Sequence, residues 1–270
     1  MQPSVPDHPI PTEQGTHAMS LSEKVVLVTG ASRGIGRAAA QLCAERAARV
    51  AVHYNQNREA AEDTLSTLRG IGHSAFRADL SDPEAARRLV ESVIVEMGTI
   101  DVLVNCAGIY ELHPIRELTY DEWVSAWNRT LGVNLLGTAH VSFCTARHMI
   151  EHNGGRIITI SSRGAFRGEP DAPAYGASKA GINAFSQSMA KALAPHRVFV
   201  FALAPGWVET DMTEEFLRGP AGPTFISQSP LRRASRPEEI ANIIAYLASD
   251  APEYMTGCII DANGASYLRT

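Results

Sequence analysis

Short runs of β-branched and other apolar residues alternate, from Lys24 onward, with longer segments of helical period. This alternation constrains the fold more than any other feature, because a helix between two strands returns the chain to pair them in parallel. The pattern predicts strands over 25–29, 49–54, 74–77, 100–104, 156–160, 198–203 and 258–260. Helices are expected over 34–47, 58–68, 83–97, 174–193 and 237–248, with a long helical stretch over 121–150 interrupted near Gly132. The expected architecture is α/β, a single-domain, doubly wound parallel sheet of about seven strands with helices on both faces.

A chain of 270 residues suits one such domain, read over 21–270. Residues 1–20, with Pro3, Pro6, Pro9 and Pro11, are read as a disordered leader; no basic start precedes an apolar run, so they are not a secretory signal. Residues 208–230, with Gly219, Pro220, Gly222 and Pro223, read as a loop-rich, lid-like insertion. A net charge of −5 offers no basic face to nucleic acid. No stretch approaches the ~20 apolar residues of a membrane helix. Neither nucleic acid nor membrane is therefore expected as a partner, and the expected location is cytoplasmic. Cys43, Cys106, Cys144 and Cys258 lie far apart with no Cys-x-x-Cys pair, which argues against a metal site and a disulfide framework.

Between the first strand and the first helix stands Thr29-Gly30-Ala31-Ser32-Arg33-Gly34-Ile35-Gly36. Glycine there permits a tight turn and lets backbone approach a phosphate, which the helix N-terminus favours. The spacing is Gly-x-x-x-Gly-x-Gly, which an ordinary strand-to-helix turn also allows. Its place in the first βα unit favours a Rossmann-type site for a nicotinamide dinucleotide, with Gly30, Ser32, Arg33, Gly34, Ile35 and Gly36 around the phosphates. The second strand ends in His53, Tyr54, Asn55, Gln56, Asn57 and Arg58, with no acid until Glu59. A carboxylate there would bind the ribose hydroxyls of NAD and repel the extra phosphate of NADP. With Tyr54 and Asn55 at that edge and Arg33 and Arg58 available to a 2′-phosphate, NADP(H) is favoured, with NAD(H) as the alternative.

Tyr175-Gly176-Ala177-Ser178-Lys179 opens the helix after the fifth strand. Residues four apart share a helix face, so the ammonium can approach the phenol. A cationic lysine and an oxidised nicotinamide both favour phenolate, and lowering the phenol from about 10 to about 7 takes roughly 4 kcal/mol. The tyrosine would then exchange a proton with a carbonyl or alcohol oxygen during hydride transfer. Ser161 and Ser162 end the fifth strand on the side where ligands of open α/β sheets bind. Only three lysines stand against seven tyrosines, so a chance Tyr-x-x-x-Lys match is rare.

Together with Asp79-Leu80, Asn105-Cys106-Ala107-Gly108, Val133-Asn134-Leu135 and Pro205-Gly206 with Thr210, these motifs resemble, in order, the short-chain dehydrogenase/reductase family over residues 22–265. The resemblance implies Ser162 as the substrate-orienting serine, Tyr175 as general acid/base, and Lys179 as the group that binds the nicotinamide ribose. It implies that Asn134 holds a proton-relaying water. Asp79 and Leu80 would border the adenine, Asn105, Ala107 and Gly108 would line the cofactor, and Pro205, Gly206, Val208 and Thr210 would frame the nicotinamide. Read as residues alone, Asn134 also suits a cap or kink, and Asp79 and Thr210 suit helix caps.

Within the family the chain looks closest to 3-oxoacyl-carrier-protein reductases, through Pro205 to Thr213, Arg236-Pro237-Glu238-Glu239 and Leu247-Ala248-Ser249-Asp250. Sugar, steroid and other secondary-alcohol dehydrogenases share those segments. A catalytically silent sensor or scaffold would lack the tyrosine or the lysine, and both are present. Arg163 and Arg167 depart from the small residues common after the serine, and suit an anionic substrate or the phosphopantetheine of a carrier, or equally plain surface charge. The family's usual assembly, a homo-oligomer (tetramer or dimer), is expected through the long helices that carry Val141, Phe143, Ile182, Phe185 and Met189.

Overall fold

The computed structural model describes residues 20–269. The expected disorder of residues 1–20 therefore falls, Ser20 apart, outside the described residues. Among these there are seven strands: β1 (Val25–Thr29), β2 (Arg49–Tyr54), β3 (Ser74–Arg77), β4 (Val102–Asn105), β5 (Gly155–Ile160), β6 (Val198–Pro205) and β7 (Ile259–Ala262). All pair in parallel, in the order β3-β2-β1-β4-β5-β6-β7. The crossovers are α1 (Gly34–Glu45), α2 (Arg58–Thr67), α3 (Pro83–Met97), α4 (Tyr120–Leu131), α5 (Thr138–Glu151), α6 (Gly164–Arg167), α7 (Pro173–Leu193), α8 (Glu214–Arg218), α9 (Gly222–Ser227) and α10 (Pro237–Ser249).

Side-chain alternation along the strands divides the core in two. Val26, Val28, Val50, Val52, Val104 and Ile158 face one way, against the alanines of α1 and Ile240, Ile244 and Leu247 of α10. Val25, Leu27, Leu103 and Ile157 face the other way, against Leu89 and Val93 of α3, Val141 and Met149 of α5, and Leu193 of α7. Strands covered on both faces explain the nearly unbroken apolar runs. Chain order reverses between β1 and β4, which opens a crevice beyond their carboxyl ends. Thr29, Asn105 and Thr159 stand level there, paired across β1, β4 and β5.

Several elements differ from the expectation. Ile100 is buried but precedes the paired segment of β4, which starts at Val102. The last strand begins at Ile259, because the Cys258 N–H closes a turn onto the Met255 carbonyl at 3.0 Å. The helical stretch is interrupted by π-helical turns over Gly132–Gly137, between α4 and α5. The 208–230 segment is not plain loop; it carries α8 and α9. Val141 and Ile182, expected to have surplus apolar surface, are buried within the chain, whereas Phe143 is 63% exposed. No helix among the described residues is long and apolar enough to cross a membrane.

Candidate active site

The glycine turn needs its glycines for two different reasons. Gly30 (φ +65°) and Gly34 (φ +53°) occupy the left-handed region. Gly36 is required by contact, since a Cβ there would lie 2.3 Å from the Gly30 carbonyl oxygen. The Gly30 N–H donates to His53 Nδ1 at 3.0 Å, and His53 Nε2–H donates to the Ala78 carbonyl at 3.1 Å. Burial pulls His53 down to about 4, so the ring stays neutral in the tautomer these two bonds demand. Arg37 Nη2 holds the Ser32 carbonyl at 2.6 Å. Ile35 is partly buried, and the Arg33 side chain makes no cap bond at the start of α1, which leaves the first-turn N–H groups available to an anion.

At the end of β2, Tyr54 is buried and Asn55 exposed. Arg33 is exposed, with a guanidinium that makes no ion pair or hydrogen bond to the described residues. Arg58, by contrast, pairs with Glu62 at 2.7 Å one turn along α2. Asp79 accepts the Ser81 N–H (3.0 Å) and hydroxyl (2.7 Å) in a local turn, while Asp82 caps α3. Leu80 is buried beside it. Thr29 Oγ1 accepts the N–H groups of Cys106 (3.0 Å) and Ala107 (3.1 Å), which fixes the chain beyond β4. Asn105 is buried and donates to Ser142 Oγ at 2.9 Å. Cys106 is pushed up to about 12 by burial, as suits an inert thiol.

Tyr175, Ser162 and Lys179 come together at the start of α7. His113, fully buried, accepts the Ala174 N–H at 3.0 Å and so caps the helix one residue before Tyr175. Tyr110 packs edge-on against the Tyr175 ring, with centroids 4.9 Å apart. Ser162 shares the pocket with the Tyr175 phenol and acts to lower its pKa, and the Ser162 Oγ accepts the Gly164 N–H at 3.0 Å. Ser161 turns the other way and donates to the Lys179 carbonyl at 3.2 Å, which leaves Ser162 as the serine on the pocket. Lys179, 5% exposed, donates to the Ile160 carbonyl at 2.8 Å and lies 5.6 Å from the Tyr175 ring centre. The Asn134 carboxamide lies within the π turns. It accepts the Ile109 N–H (2.8 Å) and donates to the Ile109 carbonyl (3.0 Å) and Ser178 Oγ (3.1 Å). It is held as a rigid strut rather than as a helix cap.

The chain's own residues set the starting point for the phenol's titration. Burial pushes the Tyr175 phenol up to about 12 and pulls Lys179 down to about 8. The chain's own residues therefore keep the proton on Tyr175. Desolvation is the largest cause of both shifts, and spacing along a helix does not reveal it.

Tyr175 and Ser162 open onto a pocket walled by Tyr110, Trp207, Phe216, Met212, Arg163 and Arg167. Gly206 follows Pro205 at the end of β6, where a Cβ would meet Asn263 Cα at 3.0 Å. Val208 is buried and bridges to Ser235. The Thr210 methyl lies over Gly34, 3.1 Å from where a Cβ would stand, and the Thr210 N–H donates to Thr213 Oγ1. His53, His113, Tyr110 and Phe216 did not stand out as site residues in the sequence. His53 alone had a visible signal, as an inward position in a buried strand.

A doubly wound sheet with a glycine turn at its switch point and a Ser-Tyr-Lys set in the same crevice defines a dinucleotide-dependent oxidoreductase. The family model described as "Enoyl-(Acyl carrier protein) reductase" matches residues 30–264. Cis-4-hydroxycyclohexanecarboxylate dehydrogenase of Sinomonas cyclohexanicum is 36% identical over 248 residues, 91% of this chain and 97% of that one. The 3-oxoacyl-[acyl-carrier-protein] reductase FabG of Staphylococcus aureus is 35% identical over 247 residues, 91% and 98% of the two chains. A solved short-chain type dehydrogenase/reductase from Mycobacterium marinum superposes with a TM-score of 0.82 at 31% identity, over 93% and 98% of the two chains. The chain belongs to the short-chain dehydrogenase/reductase family and is an NAD(P)-dependent oxidoreductase.

The residues present fit such a dinucleotide. Gly108 leaves room that a Cβ, 3.4 Å from Asn134 Oδ1 and 3.6 Å from Lys179 Nζ, would fill. The Lys179 ammonium uses one of its three N–H donors on Ile160, which leaves two for ribose hydroxyls.

Proposed function

We propose that this protein is an NADP(H)-linked carbonyl reductase in which Tyr175 protonates the carbonyl oxygen and Ser162 orients it. The observation that carries the reading is that Tyr175 and Ser162 line one pocket rich in aromatic rings, with Lys179 buried 5.6 Å from the Tyr175 ring centre. The bound dinucleotide would supply the hydride and, once oxidised, a positive ring beside the phenol. Ser162 donates to the substrate carbonyl oxygen, which gathers negative charge as its carbon is reduced. Tyr175 then delivers its proton to that oxygen. A phenol held at about 12 keeps that proton at neutral pH, the state reduction requires. Asn134 fixes the Ile109 backbone and Ser178 around the lysine, and so positions the set.

Among substrates, 3-oxoacyl thioesters lead through the likeness to the carrier-protein reductase. The enclosed Tyr110–Phe216–Trp207 wall favours a second reading, a compact cyclic secondary alcohol or its ketone, in keeping with the name of the Sinomonas relative. NADPH and NADH oxidation at 340 nm against 3-oxoacyl thioesters, sugars and cyclic ketones decides between them. Absence of turnover on every member would remove the reductase reading. Phe143, exposed on α5, suits the proposed homo-oligomer.

Two expected results test the cofactor side. Arg33→Ala should weaken NADPH binding about tenfold or more and leave NADH nearly unchanged, as loss of a charge-assisted bond to the 2′-phosphate would. Arg58→Ala, whose guanidinium is engaged by Glu62, should change neither. Equal effects of Arg33→Ala on both dinucleotides would refute the NADP assignment. In the second test, NADPH affinity should fall as pH rises above about 8, because Lys179 there loses the charge that holds the ribose. Lys179→Met should bind weakly at every pH, with no such fall. A wild-type profile flat from pH 7 to 10 would exclude Lys179 as the titrating contact.

A further inference from the structure

We infer that the pocket beside Tyr175 takes a substrate bearing a carboxylate at the end remote from the reacting carbon, with Arg163 as the group that receives it. The inference rests on the carbonyl-reducing role proposed for Tyr175, and it concerns what lies at the other end of the same substrate.

Arg163 is 3% exposed, yet no carboxylate among the described residues pairs with it. Its Nη2 donates to Gln228 Oε1, a neutral acceptor, and its Nη1 is buried with no acceptor among the described residues. The guanidinium carbon lies 5.9 Å from the Trp207 ring centre, and Trp207 Nε1 is likewise buried without a partner. Glu169, on the same pocket, is paired with Arg167 at 3.4 Å. These three side chains therefore carry one net positive charge into a pocket whose remaining wall is mainly aromatic rings and Met212. Burial draws the guanidinium down to about 10, which still leaves it charged at neutral pH.

A buried cation without a counter-ion is costly, and such groups persist where a ligand supplies the missing charge. The excess of one charge matches a monoanion, and the planar fork of arginine matches the two oxygens of a carboxylate. Arg163 directly follows Ser162, so one short segment presents a hydroxyl to the carbonyl end and a guanidinium to the acid end. A flat or cyclic apolar body between these ends would lie along Tyr110, Trp207 and Phe216.

The test is calorimetric titration of the protein–NADPH complex with cyclohexanecarboxylate and with the uncharged cyclohexanecarboxamide. The wild type should bind the acid ~30-fold or more tightly than the amide, the range expected for a buried, hydrogen-bonded charge pair. Arg163→Met should remove that preference through loss of acid binding alone, and Arg163→Lys should restore part of it. NADPH affinity reports whether each variant is folded, and the wild-type comparison stands even if Arg163→Met does not fold. Equal binding of acid and amide by the wild type, or an acid preference that survives Arg163→Met, would overturn the assignment. Neither probe has a carbonyl to reduce. The binding result is thus separate from the reductase reading, which turnover of 4-oxocyclohexanecarboxylate with NADPH decides.

Discussion

Tyr175→Phe is expected to lower kcat for carbonyl reduction by about 10²–10⁴-fold, the contribution of a positioned general acid, while the Kd for NADPH stays within a factor of two or three. Phenylalanine keeps the ring, and with it the edge-on packing against Tyr110 at 4.9 Å. Ser162 keeps its bond from the Gly164 N–H, and Lys179 its bond to the Ile160 carbonyl. Only the proton donor is removed. A loss confined to kcat separates that role from a structural one, which would also disturb NADPH affinity or thermal stability. Turnover within tenfold of wild type would mean that another group delivers the proton.

The second large effect is on stability. Gly36→Ala should lower stability by about 3 kcal/mol or more, at the upper end for overpacking. In a helix interior this exchange ordinarily gains up to about 1 kcal/mol. Here the new Cβ would lie 2.3 Å from the Gly30 oxygen, 2.8 Å from the Gly30 carbonyl carbon and 3.0 Å from Ala31 Cα. All three are backbone atoms that cannot swing aside, so the turn itself must shift. A drop in Tm of about 6–12 °C should follow, with loss of dinucleotide binding. Gly176→Ala, whose nearest neighbour would be 3.5 Å away, provides the contrast and should melt near the wild type. Equal melting of wild type and Gly36→Ala would show that the turn accommodates a side chain.

How much could be read in advance varied with the kind of information each element carries. β1, β2, β3 and α3 lie at the expected residues because buried parallel strands are continuous apolar runs and α3 begins with Asp82-Pro83, a cap followed by a pre-set first residue. α8 and α9 escaped notice because Gly219, Pro220, Gly222 and Pro223 read as breakers, although Pro223 sits harmlessly in the first turn of α9. Tyr175 and Lys179 were legible because four-residue spacing on a helix is local. His53, His113 and Tyr110 were not, since each acts on a residue dozens of positions away. The phenol's upward displacement was also hidden, because it follows from three-dimensional burial. Arg163 was visible as an odd residue after the serine; that it is buried without a counter-ion was not.

The π turns over Gly132–Gly137 have a consequence for the aim of the whole site. Such a segment is what an α-helix becomes when one residue is inserted without breaking it. Deleting one residue there would let α4 and α5 fuse into a regular rod and recover ordinary helix hydrogen bonds. It would also rotate one half against the other by about 100°. Asn134 would swing away from Ile109, whose N–H and carbonyl would both lose their partner, and from Ser178. The long helix is therefore out of phase with itself by one residue, and that angular offset points the Asn134 carboxamide at the crevice.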